Sequence, residues 1–304
     1  MAPGPPCDAT IVIPVLDQRE DWLRQCVESA LGQTRPTEVL VVHSPRTGAA
    51  AHAVLADLAR RHGNLRLLPE ARPGFAAAIN TGIAAAACAR VGLLLSDDWL
   101  QPDAVASCLP HDVDIVSTGC RVFLADGVTE VPGMVPPYSQ ARYEALAEDH
   151  QRADYLSHFF LFRRDALLRV GGVDEDAGNS GVDDFDMIWT LLEHGATVRV
   201  VPTRAYNYRD HDEARASLRD ADAQAADMER ILAKHGVPAD RRQAIVARHR
   251  AWYGKTLRQA RAEAMATPLG WAREQWRLLT WRWRAAEAAD RWLRRAARWW
   301  RGSP

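Results

Sequence analysis

Long apolar runs are missing from this 304-residue chain. No stretch of about 18 or more uninterrupted apolar residues occurs, so no membrane-spanning helix is expected and any membrane association is peripheral. The opening residues, Met1-Ala-Pro-Gly-Pro-Pro-Cys-Asp, have neither the basic start nor the apolar core of a secretory leader. Excess charge is also lacking. A formal net charge of −1 carries no global nucleic-acid signature, and nucleic acid is not expected as a partner. Cysteine is sparse, with Cys7, Cys26, Cys88, Cys108 and Cys120 making an odd count without a C-x-x-C pair. That pattern argues against a disulfide framework and a zinc knuckle, and favours a reducing cytoplasm.

What is present is an alternation of short β-branched runs with helical spacings. Residues 9–15 read as a strand, 21–31 as a helix, 38–42 as a strand, 50–62 as a helix and 65–68 as a strand. An alanine-rich helix over 76–89 and a strand over 91–95 follow. This β-α-β-α-β-α-β order predicts a parallel, doubly wound nucleotide-binding half. Further strands are predicted at 114–124, 158–163 and 198–201, helices at 166–170 and 185–194, and an irregular segment at 127–138.

The run Leu93-Leu94-Leu95-Ser96-Asp97-Asp98-Trp99-Leu100 stops abruptly at two carboxylates. A buried strand must end before it can carry charge, so the acidic pair belongs at its mouth, where open α/β sheets bind ligands. Oxygen ligands there favour Mg²⁺ or Mn²⁺, which take one or two carboxylates and complete their shell with substrate phosphates. The alternative is a plain turn or a helix N-cap.

Several motifs taken in order resemble a family 2 glycosyltransferase of GT-A fold. They are Thr10-Ile-Val-Ile-Pro-Val, Cys26-Val-Glu-Ser-Ala-Leu-Gly-Gln-Thr, Glu38-Val-Leu-Val-Val, Gly74-Phe-Ala-Ala-Ala-Ile-Asn-Thr-Gly and Ser96-Asp-Asp-Trp-Leu-Gln-Pro-Asp. Val170-Gly-Gly-Val-Asp, Asp183-Asp184-Phe-Asp and Tyr208-Arg-Asp-His211, with Ser217 downstream, continue the match, which covers roughly residues 9–217. The resemblance implies an α/β, Rossmann-like, mostly parallel sheet flanked by helices, and a nucleotide-sugar donor over the C-terminal edge of the first strands. It implies that Asp97 holds the metal at the last position of a D-x-D element, whose first position here is Leu95. Ser96 and Asp98 would stand beside the donor. His211 would complete the metal site, and Arg209 is a candidate phosphate contact.

By the same resemblance Asp184 is the catalytic base, removing the proton of an acceptor hydroxyl as it attacks the anomeric carbon with inversion. Asp183 and Asp174 fall on the acceptor side. N-capping of the following helix by Asp183 or Asp184 is the competing reading. Pro14, Asp17 and His43 align with the nucleobase pocket, although the family's acidic residue after the second strand is missing. Ile79 replaces a basic residue before Asn80, which is placed near the donor and able to pin its loop. UDP is the default base, with dTDP or GDP as alternatives. Gly74 is assigned to loop conformation and Gly82 to packing.

The domain division expected is a transferase domain over 1–218 and a helical region over 219–304. Residues 271–301 hold Trp271, Trp276, Trp281, Trp283, Trp292, Trp299 and Trp300 with interleaved arginines, projecting as an amphipathic helix. Such a helix suits an anionic inner-membrane surface, and equally packing on the catalytic domain or in a homodimer. The implied activity is metal-dependent, inverting transfer of one sugar to a carbohydrate or glycolipid acceptor, as in surface polysaccharide assembly. A nucleotidyltransferase or a non-catalytic nucleotide-sugar binder are the other classes.

Overall fold

In the computed structural model, which describes residues 7–131, 138–176, 182–213, 220–266 and 268, the expected alternation is present. Ala9–Val15 (β1), Glu20–Leu31 (α1), Thr37–His43 (β2), Ala49–Arg61 (α2), Leu65–Pro69 (β3), Phe75–Ala85 (α3) and Arg90–Leu93 (β4) follow one another. Then come Trp99–Leu100 (β5), Ala104–Cys108 (α4), Ile115–Leu124 (β6), Gln140–Glu144 (α5), Asp149–Tyr155 (α6), Phe160–Arg163 (β7) and Arg164–Arg169 (α7). Asp183–Glu193 (α8), Val198–Asp210 (β8), Ala221–Lys234 (α9) and Ala239–His249 (α10) close the first unit.

The strands form one sheet in the order β3-β2-β1-β4-β7-β6-β8-β5. Its first half is parallel, as the alternation requires. The second half is mixed, because β7 runs antiparallel between β4 and β6, while β6 and β8 pair in parallel. The period-2 alternation of the strands sorts their side chains into two cores. Val12, Leu40 and Val42 pack with Ile83 of α3, Ile188 of α8 and Ile231 of α9, whereas Ile11, Ile13, Val39 and Val41 pack with Leu23 of α1 and Leu55 of α2. Each such buried aliphatic side chain contributes about 2 kcal/mol relative to exposure. Gly82 lets α3 lie directly on β1, since a Cβ there would meet Val12 Cγ1 at 2.3 Å.

Four sequence expectations are revised. The alanine-rich helix stops at Ala85, because the next amides are taken by the sheet: Ala87 N donates to Glu38 Oε2 at 2.8 Å and Cys88 N to Thr10 Oγ1 at 3.2 Å. Cys88 forms a disulfide with Cys7, with Cα atoms 6.0 Å apart, so the cysteines do include one bridge. The final strand runs to Asp210 instead of 201, as its polar second half continues alongside β6 after a register shift. The first compact unit reaches Gly254, beyond residue 218, since Met228, Ile231, Leu232 and Ile245 of α9 and α10 are buried in the main core.

The second unit begins at Lys255. Its helix Leu257–Met265 (α11) opens with a capping box between Thr256 and Gln259. Ser217 and the amphipathic segment 271–301 lie outside the described residues. Among the described residues no helix is long and apolar enough to cross a membrane.

Candidate active site

Asp97 and Asp98 stand on the turn between β4 and β5, at the C-terminal edge of the parallel strands. The second half of β8 fixes that turn. Tyr206 OH donates to Asp98 Oδ2 at 2.7 Å and accepts from the Leu95 amide at 3.4 Å. The Arg209 amide donates to Asp98 Oδ1 at 2.6 Å, and its Nε to the Asp97 carbonyl at 2.8 Å. The remaining guanidinium nitrogens reach the Ala125 carbonyl and Gln25 Oε1, and the group lies 4.7 and 4.8 Å from the ring centroids of Trp22 and Trp99. Asp98 and Arg209 are each only 1 % exposed. Both are internal braces of the turn, engaged inside the protein by the hydrogen bonds and stacking just described. Burial and the Asp98 charge hold the Tyr206 phenol far above its ordinary pKa, so it serves Asp98 as a permanent donor.

The bracing leaves Asp97 facing His211. Asp97 Oδ2 and His211 Nε2 are 3.1 Å apart, and the His211 ring lies 4.6 Å from Trp22. Adjacent ligands of an octahedral Mg²⁺-type site with bonds near 2.1 Å lie about 3 Å apart, so this oxygen and nitrogen fit one divalent cation. Among the described residues no group of three or more His, Cys, Asp or Glu side chains gathers around a metal position. A cation here would take its remaining ligands from substrate oxygens and water.

Across the edge, α8 presents Asp183 and Asp184 in its first turn. Val182 is the N-cap residue and makes no side-chain cap hydrogen bond, and it is Asp184 Oδ1 that accepts from a first-turn amide, that of Phe185. Asp183 is buried, and desolvation, reinforced by the Asp184 charge, pushes its carboxyl up to about 7. Asp184 is half-exposed, with Oδ1 accepting from the Phe185 amide at 2.8 Å and Oδ2 lying 3.3 Å from His158 Nε2. Burial opposes protonation of His158, but the carboxylates of Asp184, Asp98 and Asp183 outweigh it and raise its pKa. The His158 ring lies 5.2 Å from that of Tyr206, the donor to Asp98. Asp98, Tyr206, His158 and Asp184 therefore form a continuous chain of contacts between the two carboxylate pairs.

The other expected residues have varied placements. Pro14 is buried within β1 in register with Val42, and Ser96 occupies the turn just before Asp97. Asp17 Oδ1 accepts from the Gly48 amide at 3.1 Å, tying the loop after β1 to the start of α2. His43 ends β2 with its ring 4.9 Å from that of His52, and burial lowers its pKa. Asn80 is a loop pin: its amide donates to the Val173 carbonyl at 2.8 Å and its Oδ1 accepts from the Val173 amide at 2.8 Å. Gly172, with φ of +79°, gives Asn80 the space, since a Cβ would meet Asn80 Oδ1 at 2.2 Å. Asp174 Oδ2 accepts from Lys234 Nζ at 2.7 Å, and Lys234 also reaches buried Asp186 at 2.8 Å. His235 Nε2 meets Asp186 at 2.9 Å. A cavity of about 510 Å³, lined by Tyr138, Gln151, Tyr155, Leu156, Ser157 and Arg248, adjoins His158 through Ser157.

Sequence reasoning did not find His158, Tyr206 or Gln25. A lone polar residue in Ser157-His-Phe-Phe-Leu-Phe was a signal for the first, since an imidazole buried among aromatics needs a partner. Gln25 on an amphipathic helix and Tyr206 in a polar stretch carried none.

Comparison with known proteins identifies the family and the fold. The model of "Glycosyl transferase family 2" matches residues 10–171, more than half of the chain. The O-antigen biosynthesis protein RfbC of Myxococcus xanthus is 28 % identical over 215 residues, covering 68 % of this chain and 16 % of that protein. The pre-mycofactocin glycosyltransferase of Mycobacterium tuberculosis is 33 % identical over 230 residues, covering 70 % of this chain and 44 % of the relative. The chain thus spans less than half the length of these two curated relatives. Among solved structures, the mannosyltransferase PcManGT from Pyrobaculum calidifontis in complex with GDP-Man and Mn²⁺ superposes with a TM-score of 0.56 at 20 % identity, over 89 % of this chain and 79 % of that one. S. aureus TarS 1–349 in complex with UDP-GlcNAc gives 0.59 at 15 % identity, over 81 % and 73 %. These structural likenesses show the GT-A fold.

Proposed function

The chain belongs to glycosyl transferase family 2, and from that premise we propose that it moves a single sugar from a nucleoside-diphosphate donor to an acceptor hydroxyl, with a divalent metal and inversion of configuration. The observation that carries this reading is the meeting of Asp97–His211 and Asp184–His158 at one sheet edge, linked through Tyr206. The two pairs have complementary tasks.

Asp97 and His211 would hold Mg²⁺ or Mn²⁺ by one oxygen and one nitrogen. When bound, the cation offsets the negative charge that grows on the departing diphosphate. Asp184 accepts the acceptor's hydroxyl proton as its oxygen forms a bond to the anomeric carbon and the bond to the diphosphate oxygen breaks. Asp98, Tyr206 and Arg209 keep the turn rigid, so Asp97 is held in place before substrate arrives. The cavity beside Ser157 supports an acceptor approach from the α6 side, where Gln151 and Arg248 offer hydrogen bonds to a carbohydrate. The donor complexes of PcManGT and TarS support a nucleotide-sugar, with UDP as first choice. The relative named for O-antigen biosynthesis supports a surface polysaccharide setting. The tryptophan- and arginine-rich segment 271–301 is proposed to meet an anionic membrane surface, which liposome flotation of the full chain against a truncation after Pro268 tests.

The deciding experiment is a thermal-shift screen of nucleoside diphosphates with and without Mn²⁺, followed by donor hydrolysis with the selected nucleotide-sugar. A ligand that binds only the native state raises its apparent stability by mass action. Metal-dependent stabilisation by one diphosphate and release of that diphosphate from its sugar are the expected outcomes. Metal and nucleotide binding with no turnover on any donor would instead establish a binding protein.

A further inference from the structure

We propose that His158 is a positioning residue for the base: it fixes and charges the Asp184 carboxylate and couples it to the metal-side turn through Tyr206. The inference rests on the transferase reading, which assigns Asp184 its role.

The geometry gives His158 one polar task. Its Nε2 lies 3.3 Å from Asp184 Oδ2, and its ring is wedged between Phe160, at 5.0 Å, and Tyr206, at 5.2 Å. These aromatic walls restrict the rotation of the imidazole, so its N–H vector is set by packing before any substrate is present. Its Nδ1 is buried and has no hydrogen-bond partner among the described residues. The charged and titratable groups facing it are Asp184 and Asp183 from α8, Asp98 from the turn and the Tyr206 phenol from β8. Three carboxylates around one imidazole favour its cationic form, and a cation there keeps Asp184 able to accept a proton.

The Phe185 amide donates to Asp184 Oδ1, and His158 adds a side-chain partner at Oδ2. Placed between that carboxylate and the turn, His158 does for Asp184 what the third member of a catalytic triad does for its neighbour: it sets orientation and charge without touching the substrate. Movement of the turn would reach the base through Tyr206 and the imidazole, because all the intervening contacts are packed rings or hydrogen bonds.

The test is donor hydrolysis, in which water replaces the acceptor hydroxyl, measured on the full chain with Mn²⁺ and the nucleotide-sugar selected above. His158→Phe keeps the aromatic packing and removes the donor and the charge. It is expected to lower kcat by about tenfold or more with donor KM unchanged. The acidic limb of the rate–pH profile, which reports the coupled group as a whole, should move to higher pH by about one unit. His158→Gln keeps a donor on a flexible, uncharged side chain. It should recover part of the rate while the limb stays displaced, and it carries the test should the Phe variant not fold.

A Phe or Gln variant with wild-type kcat and an unshifted limb overturns the proposal, as does a loss confined to donor KM. Asp184→Asn, run alongside, separates the two levels. A silent Asp184→Asn with an unaffected His158→Phe overturns the positioning role alone, whereas a full-rate Asp184→Asn overturns the base assignment and the positioning role with it.

Discussion

The two carboxylate pairs at the sheet edge are built in opposite ways. Asp97 and Asp98 sit on a turn locked from β8, where Tyr206 and Arg209 donate to Asp98 and to the Asp97 backbone. Asp183 and Asp184 share the first turn of a helix, and the side-chain partner of Asp184 is a single imidazole at 3.3 Å. In the first pair Asp98 is anchored to β8, and Asp97 faces His211. The second pair is held under electrostatic tension, one carboxyl forced toward neutrality by burial and the other half-exposed beside His158. Rigid supply of charge on one side and a titratable acceptor on the other are what a transfer reaction requires of its two walls.

That contrast can be broken from either side. The largest effect is expected at Asp97→Ala, which should remove at least about a hundredfold of the donor turnover and abolish its response to Mn²⁺, read by titrating the metal. Asp184→Asn should come next, with kcat lower by on the order of 10²–10⁴ and donor KM unchanged in steady-state kinetics. Tyr206→Phe attacks the lock itself: Asp98 is left buried with one donor fewer, at a cost of about 1–3 kcal/mol in chemical denaturation. The same variant should bind Mn²⁺ more weakly in a calorimetric titration, since the turn that presents Asp97 is loosened.

The smallest effect should be visible only against pH. A carboxyl whose folded-state pKa is raised from its ordinary value to about 7 destabilises the fold as it ionises, so the wild type loses stability as pH climbs from about 4 through 7. Asp183→Asn has no such loss. Thermal melts should find the variant equal to or below wild type at pH 5 and above it at pH 8, and a gap independent of pH would remove Asp183 from the titrating group.

The same two regions explain what could be read in advance. The parallel half of the sheet was legible because buried strands write themselves as β-branched runs, and Asp97 stood out as the charge that ends one. His211 and Asp184 were reached through motif order. That Asp98 and Arg209 brace the turn was not legible, since nothing in a sequence says which hydrogen bonds a charged side chain near a site makes inside the protein. The bracing strand was cut short at 201 because Thr203-Arg-Ala-Tyr-Asn-Tyr-Arg lacks an apolar period, being paired by its backbone while its side chains serve the turn. His158 was hidden by distance along the chain: it lies between α6 and β7, its partner lies on α8, and only folding brings the two together.

Lys234 and His235, at the end of α9, are the partners of Asp186, a carboxylate only 1 % exposed and two positions beyond Asp184 on the same helix. An expression boundary drawn at 218 would delete both partners and strand that carboxylate in the interior, where an orphaned charge costs several kcal/mol. The shortest fragment worth purifying therefore ends after Gly254, and inactivity in anything shorter would report a collapsed scaffold and say nothing about chemistry.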